Sequence, residues 1–108
     1  MIKERKKILR LLSDSNREII DLSFPEVLGF AGNCLELVGR NETGSEELIL
    51  ALSAKALQSL EKANIEKLKD YLKLVSIDVG TIEHIGGGGI RCMLAGIHML
   101  PKTWFHSI

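Results

Sequence analysis

Apolar and polar positions recur along this chain with two periods, and the switches between them mark its elements. In residues 2 to 12, Ile8, Leu11 and Leu12 fall on one side and Lys3, Arg5, Lys6, Lys7 and Arg10 on the other, which predicts an amphipathic helix stopped by Ser13-Asp14-Ser15-Asn16. The short apolar segment Glu18 to Leu22 predicts a strand. Ser23, with Glu26 three residues later, has the spacing of a capping box, and the helix it opens is kept brief by Gly29 and Gly32. Strands follow from Asn33 to Val38 and from Glu47 to Leu52, joined by a loop through Asn41, Thr43 and Gly44. Ser53 caps the next helix, with Ala54, Leu57 and Leu60 on one face; Asn64 restarts it, and Ile65, Leu68 and Leu72 continue at helical spacing. Its Lys62, Lys67, Lys69 and Asp70 read as a solvated face. Val75, Ile77 and Val79 alternate with Ser76 and Asp78, the period of a half-buried strand. After the glycine run Gly86 to Gly89, residues 90 to 98 predict a final strand.

The expected architecture is therefore α/β: a small mixed sheet with helices on one face, in a single domain over residues 1 to 108. At 108 residues and 12.0 kDa there is no room for a second domain. Fourteen Lys plus Arg balance fourteen Asp plus Glu, so net charge gives no reason to expect nucleic acid or an acidic membrane surface as a partner. The longest apolar-rich run, Met93 to Leu100, is broken by Gly96 and His98 and falls short of the roughly 20 residues that span a bilayer. The first ten residues carry no secretory apolar core, so the expected compartment is the cytoplasm, with Cys34 and Cys92 both free thiols.

Four consecutive glycines cost conformational entropy on ordering, so Gly86 to Gly89 must serve some geometry. A phosphate cradle lacks the Lys-Ser/Thr ending and the following helix that such a loop requires. Two readings stay open: a flexible hairpin loop, or a close approach of backbone to a ligand that swings Cys92 into a pocket. A thiol attacks as thiolate, and a cationic neighbour or loop amides favour that form; Arg91 and the glycines supply both conditions next to Cys92. Cys34, in a strand without such neighbours, reads as inert. His98, six residues along a strand from Cys92, would stand about 20 Å away, too far to exchange a proton directly. His84 reads as a surface residue on a turn, and His106 sits in the tail. No spacing of His, Cys or acidic residues suits a metal, so neither a metal nor another cofactor is expected.

Phe30-Ala31-Gly32-Asn33-Cys34-Leu35-Glu36-Leu37, a strand-helix-strand, Thr81-Ile82-Glu83 and Gly86-Gly87-Gly88-Gly89-Ile90-Arg91-Cys92-Met93 together resemble the C-terminal portion of the guanidine-modifying enzymes, the pentein superfamily. The likeness runs from Asp21 to His98 and is greatest to the arginine deiminase-related, amidinotransferase-like branch. It implies a partial α/β propeller of ββαβ modules, perhaps two of them in this chain, and Cys92 as the nucleophile that attacks a guanidinium carbon to form a covalent amidino intermediate. Asn33, Gly88, Gly89 and Arg91 fall at the matching substrate-site positions. The general acid/base histidine and the guanidinium-clamping carboxylates of that superfamily belong to modules upstream of the resembling region, and His84, His98, Asp78 and Glu83 do not stand in the matching motifs.

The resulting expectation is a short relative of a guanidine hydrolase. It would take an arginine-like small molecule and catalyse poorly without a complementary chain. The alternative is a non-catalytic module that pairs with another copy, or another protein, through open sheet edges, with Trp104, Phe105 and Ile108 adding apolar contact.

Overall fold

The capping box forms where the sequence placed it. In the computed structural model, which describes residues 2–96, helix α1 (Ile2–Asp14) is followed by an irregular segment and then by α2 (Phe24–Leu28). Ser23 is the N-cap of α2 and its backbone N–H donates to the Glu26 carboxylate at 2.8 Å. Three strands make one mixed sheet in the order β1-β2-β3: β1 (Leu35–Arg40), β2 (Glu46–Ser53) and β3 (Lys73–Ile77). Helices α3 (Ala54–Ser59) and α4 (Lys62–Lys69) lie between β2 and β3, and α5 (Gly80–Gly86) and α6 (Ile90–Met93) follow the sheet.

β1 and β2 pair antiparallel from Leu35 opposite Ala51 to Arg40 opposite Glu46. Asn41 closes this hairpin, its Oδ1 accepting from the N–H groups of Thr43 (3.1 Å) and Ser45 (3.0 Å), with Gly44 at φ +82°. β2 and β3 run parallel, Ile49 beside Lys73 through Ser53 beside Ile77. Parallel neighbours need a crossover, and α3 with α4 provides it, giving one strand-strand-helix-strand unit. Ser53 ends β2 and caps α3, its Oγ accepting from the Ala56 N–H at 3.0 Å.

The core sits at the far end of β2, where Leu50 to Ser53 are all buried. Leu52 and Ala56 are fully enclosed with Ala31 and Leu60, and Leu22, Cys34, Leu57, Ile65, Leu68 and Leu74 pack around them. Beside this core lies a buried polar knot. Glu26, 1 % exposed, also accepts from the Glu61 N–H at 2.9 Å and from Asn64 Nδ2 at 3.0 Å. These bonds, the Ser23 N–H foremost, hold its carboxyl down at about 2 even though burial opposes the charge. Gly29 lets α2 meet α3, because a Cβ there would lie 1.8 Å from Ser59 Oγ.

Several sequence expectations need correction. Glu18 to Leu22 forms no strand: Asp21 gives its carbonyl to Asn64 Nδ2 at 3.2 Å, Glu18 accepts from the Tyr71 hydroxyl, and Leu22 packs on the core. Side chains pin this segment where a neighbouring strand would otherwise pair with it. The helix does not restart at Asn64 but one turn earlier, with Glu61 as N-cap, because Asn64 is committed to Glu26. Residues 81 to 85 belong to α5, and the predicted final strand begins instead as the helical turn α6, followed by irregular backbone to residue 96. His98 and the apolar tail residues Trp104, Phe105 and Ile108 lie outside the described residues, as does His106.

Candidate functional site

The local turn before β1 sets the site. Phe30 adopts φ +66°, a left-handed conformation unusual for a bulky side chain, and its ring lies 5.1 Å from Lys55 Nζ. The Ala31 N–H returns to the Glu26 carbonyl at 3.0 Å and the Asn33 N–H to the Phe30 carbonyl at 2.9 Å. This tight turn delivers Asn33 just ahead of β1. From the other end of the chain, Gly87 closes α5 at φ +72° with its N–H on the Glu83 carbonyl at 2.9 Å. Gly88 and Gly89 then carry the chain into α6.

Four of the five predicted site residues, Asn33, Gly88, Gly89 and Cys92, meet at this junction, although Asn33 and Cys92 stand 59 positions apart. Asn33 Nδ2 donates to Cys92 Sγ at 3.1 Å, and Asn33 Oδ1 accepts from the Cys92 N–H at 3.4 Å. A Cβ on Gly88 would sit 2.9 Å from Sγ, and one on Gly89 would sit 2.9 Å from Asn33 Oδ1. The glycines thus have separate tasks: Gly87 adopts the left-handed cap, Gly88 leaves room for the sulfur and Gly89 leaves room for the carboxamide. Gly86, inside α5, has open space where a Cβ would go.

Arg91, the fifth, faces a different way. Its guanidinium donates to the Cys34 carbonyl at 3.1 Å and its N–H reaches the Asn33 carbonyl at 3.5 Å. It therefore ties α6 to the start of β1, and no hydrogen bond joins it to Cys92. The two thiols are free and differ in setting: Cys92 is exposed and Cys34 half-buried. Burial pushes the Cys34 thiol up, against a smaller opposing pull from the Arg91 charge.

Glu83 had no signal in the sequence beyond its type. On α5 it is 3 % exposed while its neighbours Ile82 and Ile85 are 57 % and 81 % exposed, and its Oε2 has no hydrogen-bond partner among the described residues. His84 is exposed on the same helix, and no hydrogen bond or ion pair joins it to Cys92. Among the described residues no group of three His, Cys, Asp or Glu side chains converges as a metal-ligand set. What the junction offers chemically is a single solvent-accessible sulfur, held from two sides by one carboxamide.

A family model described as N,N dimethylarginine dimethylhydrolase, eukaryotic, matches residues 1–99. The matched span takes in every element from α1 to α6, with Asn33, the glycine run and Cys92. No curated protein and no solved structure matches the chain.

Proposed function

The chain belongs to the N,N dimethylarginine dimethylhydrolase family, a guanidine-modifying relationship, and from that premise we propose that it is a guanidine-group hydrolase relative in which Cys92 is the nucleophile. The substrate class is an arginine or methylated arginine side chain. The observation that carries this reading is the Asn33 clamp on an exposed sulfur, at 3.1 Å and 3.4 Å, with Gly88 clearing the approach. The thiolate of Cys92 adds to the guanidinium carbon. The C–N bond then breaks, and the amine or ammonia leaves with a proton. Water attacks the amidino carbon, the C–S bond breaks, and a ureido product departs as the thiolate is restored. Dividing the displacement in two lowers each barrier, and a soft anion suits a resonance-stabilised cation.

Asn33 acts in this scheme on the sulfur, orienting it and donating to its negative charge. Gly88 and Gly89 give the steric clearance. Arg91 holds the α6 turn through the Cys34 carbonyl, which keeps one cation pinned away from a cationic substrate. Among the described residues no His, Asp or Glu side chain is hydrogen-bonded to Cys92 or Asn33, so proton transfer and the guanidinium clamp need groups brought from elsewhere, such as a complementary chain. The strand-strand-helix-strand unit is compatible with one ββαβ module of an α/β propeller whose remaining modules such a partner would supply.

The test treats the purified chain with a haloacetamidine, a cationic alkylator, and with neutral iodoacetamide, with and without dimethylarginine, while citrulline is assayed in parallel. The expected result is preferential amidine labelling at Cys92, slowed by dimethylarginine, with negligible citrulline from the chain alone. Equal labelling by both reagents and no protection would sink the proposal. Robust citrulline formation abolished by Cys92→Ala would keep the nucleophile and overturn the need for a partner.

A second reading, a module that assembles through its sheet, is favoured by one observation: β1 and β3 each have only β2 as a strand neighbour, and Leu37, Val38 and Ile77 are exposed on them. Sedimentation at micromolar concentration separates the two, since a strict monomer with slowly exchanging β1 and β3 amides excludes assembly through the edges.

A further inference from the structure

The sharpest separation of charge from apolar surface lies outside the Cys92 site, on α1. Lys3, Lys6, Lys7 and Arg10 recur at the i, i+3, i+4, i+7 positions and form one cationic stripe. All four are exposed, and none has an ion pair or side-chain hydrogen bond among the described residues. Beside the stripe stand Ile8, Leu11 and Leu12, 56 %, 61 % and 41 % exposed. No residue of α1 is buried. The helix is tied to the body by the ion pair of Arg5 with Asp21, and Leu9 is its one half-buried side chain. At about 100° per residue, Arg5 and Leu9 project on the side away from the cationic stripe, which leaves the stripe and its apolar flank facing outward.

The chain's net charge of zero conceals this segregation, because α1 alone sets Lys3, Arg5, Lys6, Lys7 and Arg10 against Glu4 and Asp14. A nucleic acid would pair with the cations and leave Ile8 and Leu11 in water. A second copy laid on the same face would bring one cationic stripe toward another. An anionic bilayer surface satisfies both halves at once: headgroups take the cations and the acyl boundary takes the isoleucine and leucines. Thirteen residues make a rod of about 20 Å, suited to lie in the interface and too short to cross it. We propose that α1 docks this protein on anionic phospholipid, with the cationic stripe on the headgroups and Ile8, Leu11 and Leu12 in the interfacial layer.

Co-sedimentation of the full chain with phosphatidylcholine vesicles, with and without about 30 % phosphatidylserine, tests this directly. Binding to the serine-containing vesicles is expected to be at least about tenfold tighter, to weaken sharply in about 0.5 M NaCl, and to fall about tenfold in Lys6→Glu/Lys7→Glu and in Leu11→Asp. All three positions are exposed, so circular dichroism of the variants should match the parent. Equal partition into both vesicle types overturns the proposal, as does charge reversal without effect. A dimer in lipid-free sedimentation that Leu11→Asp dissolves would assign the face to a second copy and overturn it too. Tight binding to DNA that Leu11→Asp leaves unchanged, with no vesicle binding, would do the same.

Discussion

Asn33 holds Cys92 at both ends of one carboxamide, Nδ2 on the sulfur at 3.1 Å and Oδ1 on the backbone N–H at 3.4 Å. The first contact favours a negatively charged sulfur and the second fixes the turn that presents it. Removing the donor to a charged acceptor is worth about 1.5 kcal/mol, roughly a tenfold change in rate if the thiolate is the reacting form. Asn33→Ala should therefore slow iodoacetamide alkylation of Cys92 by about three- to tenfold, with Asn33→Asp slower still, since a carboxylate would repel the thiolate. Peptide mapping of the labelled chain reads the rate. Unchanged kinetics in both variants would mean the carboxamide does not bear on the sulfur's reactivity.

The two cysteines should separate cleanly by rate. Cys92 is exposed, whereas Cys34 is half-buried against the core and burial pushes its thiol up. At about pH 7.5, labelling of Cys92 is expected to outrun that of Cys34 by at least about tenfold, and the ratio should collapse towards one in denaturant. Comparable rates in the native protein would remove the distinction on which Cys92 was chosen.

The glycine run can be dissected one residue at a time. Gly88→Ala places a Cβ 2.9 Å from Cys92 Sγ, and Gly89→Ala places one 2.9 Å from Asn33 Oδ1, so each should disturb the clamp from a different side. Gly87→Ala instead forces a side chain into a left-handed cap, at about 1 kcal/mol of stability, with little effect on the sulfur. Gly86→Ala meets open space within α5 and should leave stability unchanged or slightly raised. Thermal melts and Cys92 alkylation rates measured together distinguish the four; loss of reactivity in Gly86→Ala equal to that in Gly88→Ala would contradict this division of labour.

What could be read from the sequence was local. The Ser23/Glu26 capping box, the hairpin turn at Asn41 to Ser45 and the Ser53 cap all depend on partners within a few residues, and each formed as expected. The glycines announced a need without its nature, because the atoms they make room for come partly from Asn33, far away in the chain. Residues 90 to 98 misled for a related reason. A short apolar run does not by itself distinguish strand from helix, and Asn33 captures the Cys92 N–H that a strand would have offered to a neighbour. The Glu18 to Leu22 strand failed because its carbonyl and carboxylate partners, Asn64 and Tyr71, lie more than forty positions on.

The buried knot around Glu26 should make the fold sensitive to acid in a defined window. Its carboxyl, ordinarily near 4.5, is held down at about 2 in the folded chain by the Ser23 N–H first, then Asn64 and the Glu61 N–H, over the opposition of burial. A depressed carboxyl contributes its stability in full above about 4.5 and surrenders it as pH falls towards about 2, because the unfolded chain takes up the proton first. The loss should reach the site, since Glu26 also sends its carbonyl to the Ala31 N–H, at the turn that places Asn33. Glu26→Gln keeps the shape but exchanges charged bonds for neutral ones and sets one amide against the donors of Ser23, Glu61 and Asn64, which should cost about 2 kcal/mol at neutral pH. Between about 4.5 and 2 the variant's stability should vary less with pH than the parent's, so the two urea-melt curves converge on acidification. Parallel curves across that range would show that the Glu26 charge is not what holds α2 against α4.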